Sequence, residues 1–313
     1  MTALAPVFAA LVPVFVLIAL GVAVRHLLLE REEHWVAIER IVYFILFPAL
    51  FISALARTDL SAVPFVHVGG VLAGTVIAMS LLCLALRPRL MRMHQVDGPA
   101  FTSIFQGATR WQTFVALPVA GTLYGQRGLA LASVAVISMI PLLNVINVWV
   151  LAHFASPDGT SMRKVLTALA RNPLIFGCVV GLLLSVSGLR LPDPVHLTIA
   201  GLGQASLPLG LLMVGAGLSG SSLHRPGAPA LTSAVLKLGV MPALAITLAR
   251  LLGLSGSDTA VVACCAAVPT ASSAYVLARQ MGGDAPLMAR ILTVETLLAM
   301  VTMPLAIAFA SSL

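Results

Sequence analysis

The chain has 313 residues, 59% of them apolar and only 9% charged, with a mean hydropathy of +1.04. So few polar side chains cannot cover a soluble domain of this size, which points to an all-α polytopic membrane protein. The formal charge of +7 would suit a nucleic-acid partner, but the basic residues stand singly in short loops between apolar runs, so no such partner is expected.

A spanning helix needs about 20 mostly apolar residues. That rule gives ten segments: Val7–Leu27, Val36–Ala56, Val66–Leu86, Phe101–Tyr124 and Leu129–His153, then Pro173–Ser187, His196–Ser219, Leu231–Leu252, Thr259–Arg279 and Leu287–Ala310. The first has no basic stretch before it and exceeds a signal-peptide core, so it reads as a span rather than a cleaved signal. Connections are short and leave no room for a soluble domain. The longest, residues 155–172, carries Pro157, Asp158, Gly159, Arg163 and Lys164 at the chain's midpoint. It divides the chain into residues 1–154, a cytoplasmic linker 155–172, and residues 173–313.

Of the 18 basic residues, twelve fall in odd-numbered loops, four in even-numbered loops, and Arg110 and Lys237 within spans. The odd loops should therefore be cytoplasmic and both termini non-cytoplasmic, in the cell membrane. The cysteines Cys83, Cys178, Cys264 and Cys265 all sit in apolar runs without metal-ligand spacing, so they read as small buried hydrophobes, and no cofactor or metal is expected.

Two of the segments are interrupted. In Val261–Leu277, VVACCAAVPTASSAYVL, Pro269 falls mid-run and is followed by Thr270, Ser272 and Ser273. In Phe101–Tyr124, Arg110, Gln112 and Thr113 precede Pro118. Proline breaks or kinks a helix, and broken backbone at membrane depth survives only where protein or an aqueous cavity surrounds it. Paired interruptions in corresponding positions of two halves are the sequence pointer to a transporter's site. FPALFISALARTDL, from Phe47, echoes LPLGLLMVGAGLSG, from Leu207, pairing Pro48 with Pro208 in the second and seventh segments. A spacing of five segments separates both pairs, and an odd number of spans per repeat inverts one copy relative to the other.

Several polar residues stand inside spans. Arg110 is a binding candidate or a snorkelling side chain near the cytoplasmic end of its segment. Lys237 either snorkels or faces the cavity. Glu295, in LTVETLLAM, is the carboxylate well inside a span; desolvation favours its neutral form, which makes it a proton-coupling candidate, and a buried ion pair with Lys237 or Arg110 is the alternative. Asn144 and Asn147, three residues apart, present both amides on one helix face, either for interhelical bonding or as a cavity wall. Thr270, Ser272 and Ser273 open the half-helix after Pro269, whose free N–H groups and positive dipole end suit a carboxylate; hydroxyls bonded to their own helix are the other reading. Gly177, Gly181, Gly210, Gly215 and Gly217 permit close helix approach, within the chain or between protomers. No HExxH, GxSxG or Walker motif is present, and one intramembrane carboxylate offers little acid–base machinery, so an enzyme is not expected.

FPALFISALARTDLS, QGATRWQTFVALPVAGTLYG, RNPLIFGCVVGLLLSVSGLRLP, LGQASLPLGLLMVGAGL and VPTASSAYVLARQMGGD, in this order and spacing, resemble the auxin efflux carrier family. That family includes bacterial malonate-type permeases and lies within the bile acid:sodium symporter-like group. The resemblance implies ten helices in two inverted five-helix repeats, with the fourth and ninth crossing at Pro118 and Pro269. It implies a scaffold of segments one, two, six and seven, with a homodimer through the second and seventh. Segments three to five and eight to ten would form the transport part, and the cargo would be an organic anion such as auxin or a small dicarboxylate. Gln112 stands where many relatives have Asn, and the long cytoplasmic loop of plant members is absent.

The expectation is a secondary transporter of a small organic anion, working by alternating access. Arg110, Gln112, Thr113, Asn144, Asn147, Thr270, Ser272 and Ser273 would form the pocket, and a proton or sodium ion would couple through Glu295 and Lys237. A non-transporting membrane receptor that binds at the same crossing is the alternative.

Overall fold

A computed structural model of the chain describes residues 4–56, 64–155, 173–218, 227–254 and 256–313. The linker around residues 156–172, with Arg163 and Lys164, lies outside the described residues, as do Arg57 and Arg225. The described chain is helical between its turns. The elements are α1 (Leu4–Leu27), α2 (Glu32–Ile41), α3 (Phe47–Ala56), α4 (Phe65–His94), α5 (Gly98–Thr109), α6 (Thr113–Phe154), α7 (Pro173–Ser187), α8 (Asp193–Ala216), α9 (Gly227–Val235), α10 (Met241–Leu251), α11 (Gly256–Ala267), α12 (Ser273–Gln280) and α13 (Ala285–Ser311). A π-helical turn joins α2 to α3 at Val42–Leu46 and another joins α9 to α10 at Leu236–Val240.

Among the described residues seven helical stretches can cross a membrane by length and composition, and Pro173–Ser187 and Gly256–Ala267 are shorter apolar helices. One of the seven, Gly98–Phe154, holds both the fourth and fifth sequence segments. Within it Gly125 is non-helical, with φ 57° and ψ −142°, a conformation that glycine adopts at little cost. A Cβ on Gly121 would lie 3.2 Å from Leu129, whereas a straight helix would part residues eight apart by about 12 Å. The chain therefore doubles back at Gly125. Val12, Val16, Leu81, Phe176 and Leu183 are exposed on the outer faces of their helices, as hydrocarbon surroundings allow and water would not.

The first half packs on the second through small residues. A Cβ on Gly215 of α8 would overlap the backbone of Ile18 in α1, and one on Gly21 would overlap Leu212, so these two helices touch main chain to main chain. Gly177 and Gly181 of α7 meet Pro48, Phe51 and Leu55 of α3, and Gly210 meets Phe114. Four of the five predicted glycines thus pack inside the chain, and Gly217 ends α8.

Both interruptions are present. α5 stops at Thr109, Arg110 is extended at φ −66° and ψ 153°, and α6 resumes at Thr113. α11 stops at Ala267, Pro269 lies in the gap, and α12 starts at Ser273. The second break falls at its proline as the sequence suggests; the first does not. Pro118 sits inside α6, six residues after Gln112. A proline strains the turn that precedes it, so the chain departs from helix upstream of the ring.

Candidate functional site

Backbone freed at a break needs partners, and the two breaks supply them to each other. The Gln112 side-chain amide donates to the carbonyl of Thr270 at 3.4 Å and to Ser272 Oγ at 3.2 Å. The Thr270 hydroxyl donates to the carbonyl of Gln106 at 3.2 Å. Gln112 also stands at the N-cap of α6, and Ser272 at the N-cap of α12. The positive ends of two helix dipoles therefore meet at one place.

A cavity of about 350 Å³ opens there. Arg110, Gln112, Thr113, Asn144, Ser272 and Ser273 line it, so six of the eight pocket residues expected from sequence come together. Arg110 is 8% exposed. Its Nη2 donates to Asn144 Oδ1 at 2.9 Å, while its Nη1 is buried with no hydrogen-bond partner. The guanidinium lies on the cavity wall.

Asn147 and Thr270 are not on the cavity wall. The Asn147 amide donates to the carbonyl of Leu143 at 2.8 Å, and its Oδ1 accepts from the Thr109 hydroxyl at 3.2 Å. A step of three helical residues turns by about 60° and climbs by about 4.5 Å, enough to send Asn144 to the cavity and Asn147 under α5. Thr270 is fully buried and ties the break together from behind.

A second polar group lies behind Thr270. Glu295 is fully buried; its Oε1 accepts from the Ser233 hydroxyl at 2.8 Å and its Oε2 from the Thr270 N–H at 3.0 Å. This carboxylate satisfies the backbone donor that follows Pro269 directly. A Cβ on Gly107 would overlap Ser233 Oγ and lie 3.2 Å from Glu295 Oε1, so only a glycine lets α5 approach this pair. Lys237 is also fully buried, which removes the snorkelling reading. It lies in the π-helical turn, where one extra residue rotates the register, and its Nζ contacts Met241 Sδ at 3.1 Å. Among the described residues no salt bridge joins Glu295 to Lys237. The Gln106 side chain is buried nearby with neither amide atom hydrogen-bonded. Among the described residues no cluster of His, Cys, Asp and Glu could hold a metal ion.

Sequence reasoning missed Glu39, Arg40, Tyr43 and Phe44, which close the cavity from α2 and the π-helical turn after it.

Broken helices meeting at a polar cavity among apolar spans are the arrangement expected of a multi-pass membrane transport protein. Comparison with known proteins agrees. Residues 159–307 match the family described as membrane transport protein. Over 304 residues, 93% of this chain and 94% of the relative, the sequence is 25% identical to an uncharacterized transporter of Methanothermobacter thermautotrophicus. The resemblance drawn from the sequence motifs is borne out by both matches.

Proposed function

We propose that the protein is a secondary transporter that moves a small organic anion by alternating access around its two helix breaks. One observation carries this reading: a buried guanidinium with an unused donor, Arg110 Nη1, beside a cavity on which two helix N-termini converge. A cargo without an acceptor leaves that donor unsatisfied, at a cost of about 1–3 kcal/mol or more. A carboxylate satisfies it and gains from both dipoles.

In this reading the ten segments form two inverted repeats, and the breaks are where the fourth and ninth segments cross. The close packing of α1 on α8 and of α3 on α7 suits a rigid scaffold, which would also carry a homodimer contact. The remaining segments move as one body. Two ties support that grouping. Arg127 of α6 grips Asp258 of α11 through Nε and Nη2, at 2.8–3.2 Å. Ser103 of α5 donates to the carbonyl of Asp284 at 2.8 Å, and the Asp284 N–H reaches the carbonyl of Pro99 at 3.3 Å.

Coupling runs through Glu295 with Lys237 beside it. A proton on the carboxyl replaces an acceptor with a donor and weakens its hold on the Thr270 N–H. Thr270 and Ser272 both hold Gln112, so the change reaches the cavity. Purified protein in vesicles tests the proposal: labelled carboxylate should accumulate inside, driven by a pH gradient in sodium-free buffer. Binding without accumulation would make the protein a receptor, and uptake that needs sodium and ignores pH would remove proton coupling.

A further inference from the structure

We infer that the outer groove between α4 and α6 binds one anionic phospholipid, with an acyl chain along the groove and the phosphate at Arg87 and His153. The groove has a volume of about 240 Å³, and Ile77, Ser80, Leu81 and Leu84 of α4 line it together with Ile146 and Trp149 of α6. No polar atom faces it, and the Ser80 hydroxyl turns away to donate to the carbonyl of Val76 at 2.7 Å. Ile77, Leu81 and Trp149 are exposed, so the groove lies on the outside of the helix bundle, where the surroundings are hydrocarbon. It is separate from the cargo cavity: at about 100° per residue, Ile146 and Trp149 stand roughly 140–160° around α6 from Asn144.

One end of the groove is basic. The Trp149 ring stacks on His153 with centroids 5.4 Å apart and lies 6.4 Å from the Phe154 ring. The Arg87 guanidinium sits 4.1 Å from the centroid of that same Phe154 ring. These contacts carry the line of the groove past Trp149 to the exposed His153 and to Arg87, which follows Leu84 on one face of α4. Among the described residues no ion pair engages Arg87, and its Nε is buried without a hydrogen-bond partner. Arg89 and Arg92 are exposed at the same end of α4. Asp97, which follows them, caps α5 by accepting from the Ala100 N–H at 2.9 Å. From Ile77 to Arg87 a helix climbs about 15 Å, half of a hydrocarbon core about 30 Å thick. With Arg87 at headgroup level, Ile77 stands near the bilayer centre, and the groove spans the depth of one leaflet. A neutral phospholipid would fill the apolar part equally well, so the basic end is what selects. A basic residue near an anionic headgroup is worth roughly fivefold in binding.

Trp149 is also the reporter, being 48% exposed where Trp35 and Trp111 are 7% and 4%. The full chain is reconstituted in phosphatidylcholine vesicles to which lipid with brominated acyl chains is added, either phosphatidylglycerol or phosphatidylcholine. Bromine quenches an indole that it touches. Brominated phosphatidylglycerol should reach half-quenching at about a fivefold lower mole fraction than brominated phosphatidylcholine, and Trp149→Phe should remove the quenched component. Arg87→Gln combined with His153→Gln should bring the two lipids to one midpoint, whereas Arg87→Lys keeps the charge and should keep the preference. Arg250→Gln, at an exposed position in the last turn of α10, should change nothing. Equal midpoints in the wild type overturn the inference, since boundary lipid held by apolar contact alone makes no such distinction. A preference that survives the double substitution overturns it as well. Quenching by neither lipid also overturns it, because a second copy or another protein then covers the groove. None of these outcomes bears on the anion site at Arg110.

Discussion

Arg110→Met separates a binding role from a structural one, because the two predict opposite effects on stability. In the folded chain the guanidinium makes one side-chain bond, Nη2 to Asn144 Oδ1 at 2.9 Å, and leaves Nη1 buried and unpaired. That bond contributes about 1.5–3 kcal/mol, as hydrogen bonds to charged groups do. Desolvating an incompletely paired charge costs several kcal/mol. The two terms oppose each other, so replacing Arg110 with an apolar side chain of similar length should leave the unliganded protein as stable as before, or more so. Binding should behave otherwise. Losing a charge-assisted bond to the cargo's carboxylate costs about 1.5–3 kcal/mol, or about 10- to 150-fold in Kd. Thermal unfolding in detergent, with and without carboxylate, reads both quantities. Arg190→Ala, an exposed residue between α7 and α8, serves as the control and should change neither. A fall in unfolding temperature typical of a core deletion, with affinity unchanged, would refute the assignment of Arg110 to the cargo.

Glu295→Gln keeps the side chain's shape but removes its titration; vesicles holding it should still exchange cargo but lose their response to an imposed pH gradient, and an undiminished response would exclude Glu295 as the coupling group. Gly107→Ala places a methyl on Ser233 Oγ and against Glu295; it should impair transport while the purified protein stays monodisperse, and full activity would show that α5 can shift at no cost. Arg127→Ala breaks the bidentate contact with Asp258. The Arg127 side chain is 43% exposed but that of Asp258 only 6%, so the loss should be about 1–3 kcal/mol in unfolding assays with cargo affinity intact; a loss of affinity instead would place this tie in the binding step. Gly215→Leu drives a side chain into the backbone of Ile18 and should abolish expression of folded protein, whereas normal yield would contradict the α1–α8 contact.

Much of this was legible in the sequence for physical reasons. Hydrocarbon thickness sets segment length, so apolar runs located the helices. Proline and adjacent polar residues marked both breaks, since broken backbone inside a membrane needs polar company. What escaped depended on contacts between distant parts of the chain. Pro118 predicted a break at itself, but the strain appears upstream, and the position that absorbs it, Arg110 to Gln112, is chosen by Gln112 reaching across to Thr270 and Ser272. Asn144 and Asn147 looked alike by spacing, yet only one faces the cavity, because Thr109 claims the other. Lys237 turns inward through a π-helical turn that has no period to read.

The most direct test of the account is the accessibility of a cysteine placed at Ser273, beside the second break, in vesicles of both orientations. The native cysteines are all buried, so a membrane-impermeant thiol reagent should report the new position alone. Alternating access predicts that Ser273→Cys is labelled from the inner face and from the outer face. Labelling from one face only, in every condition, would contradict it.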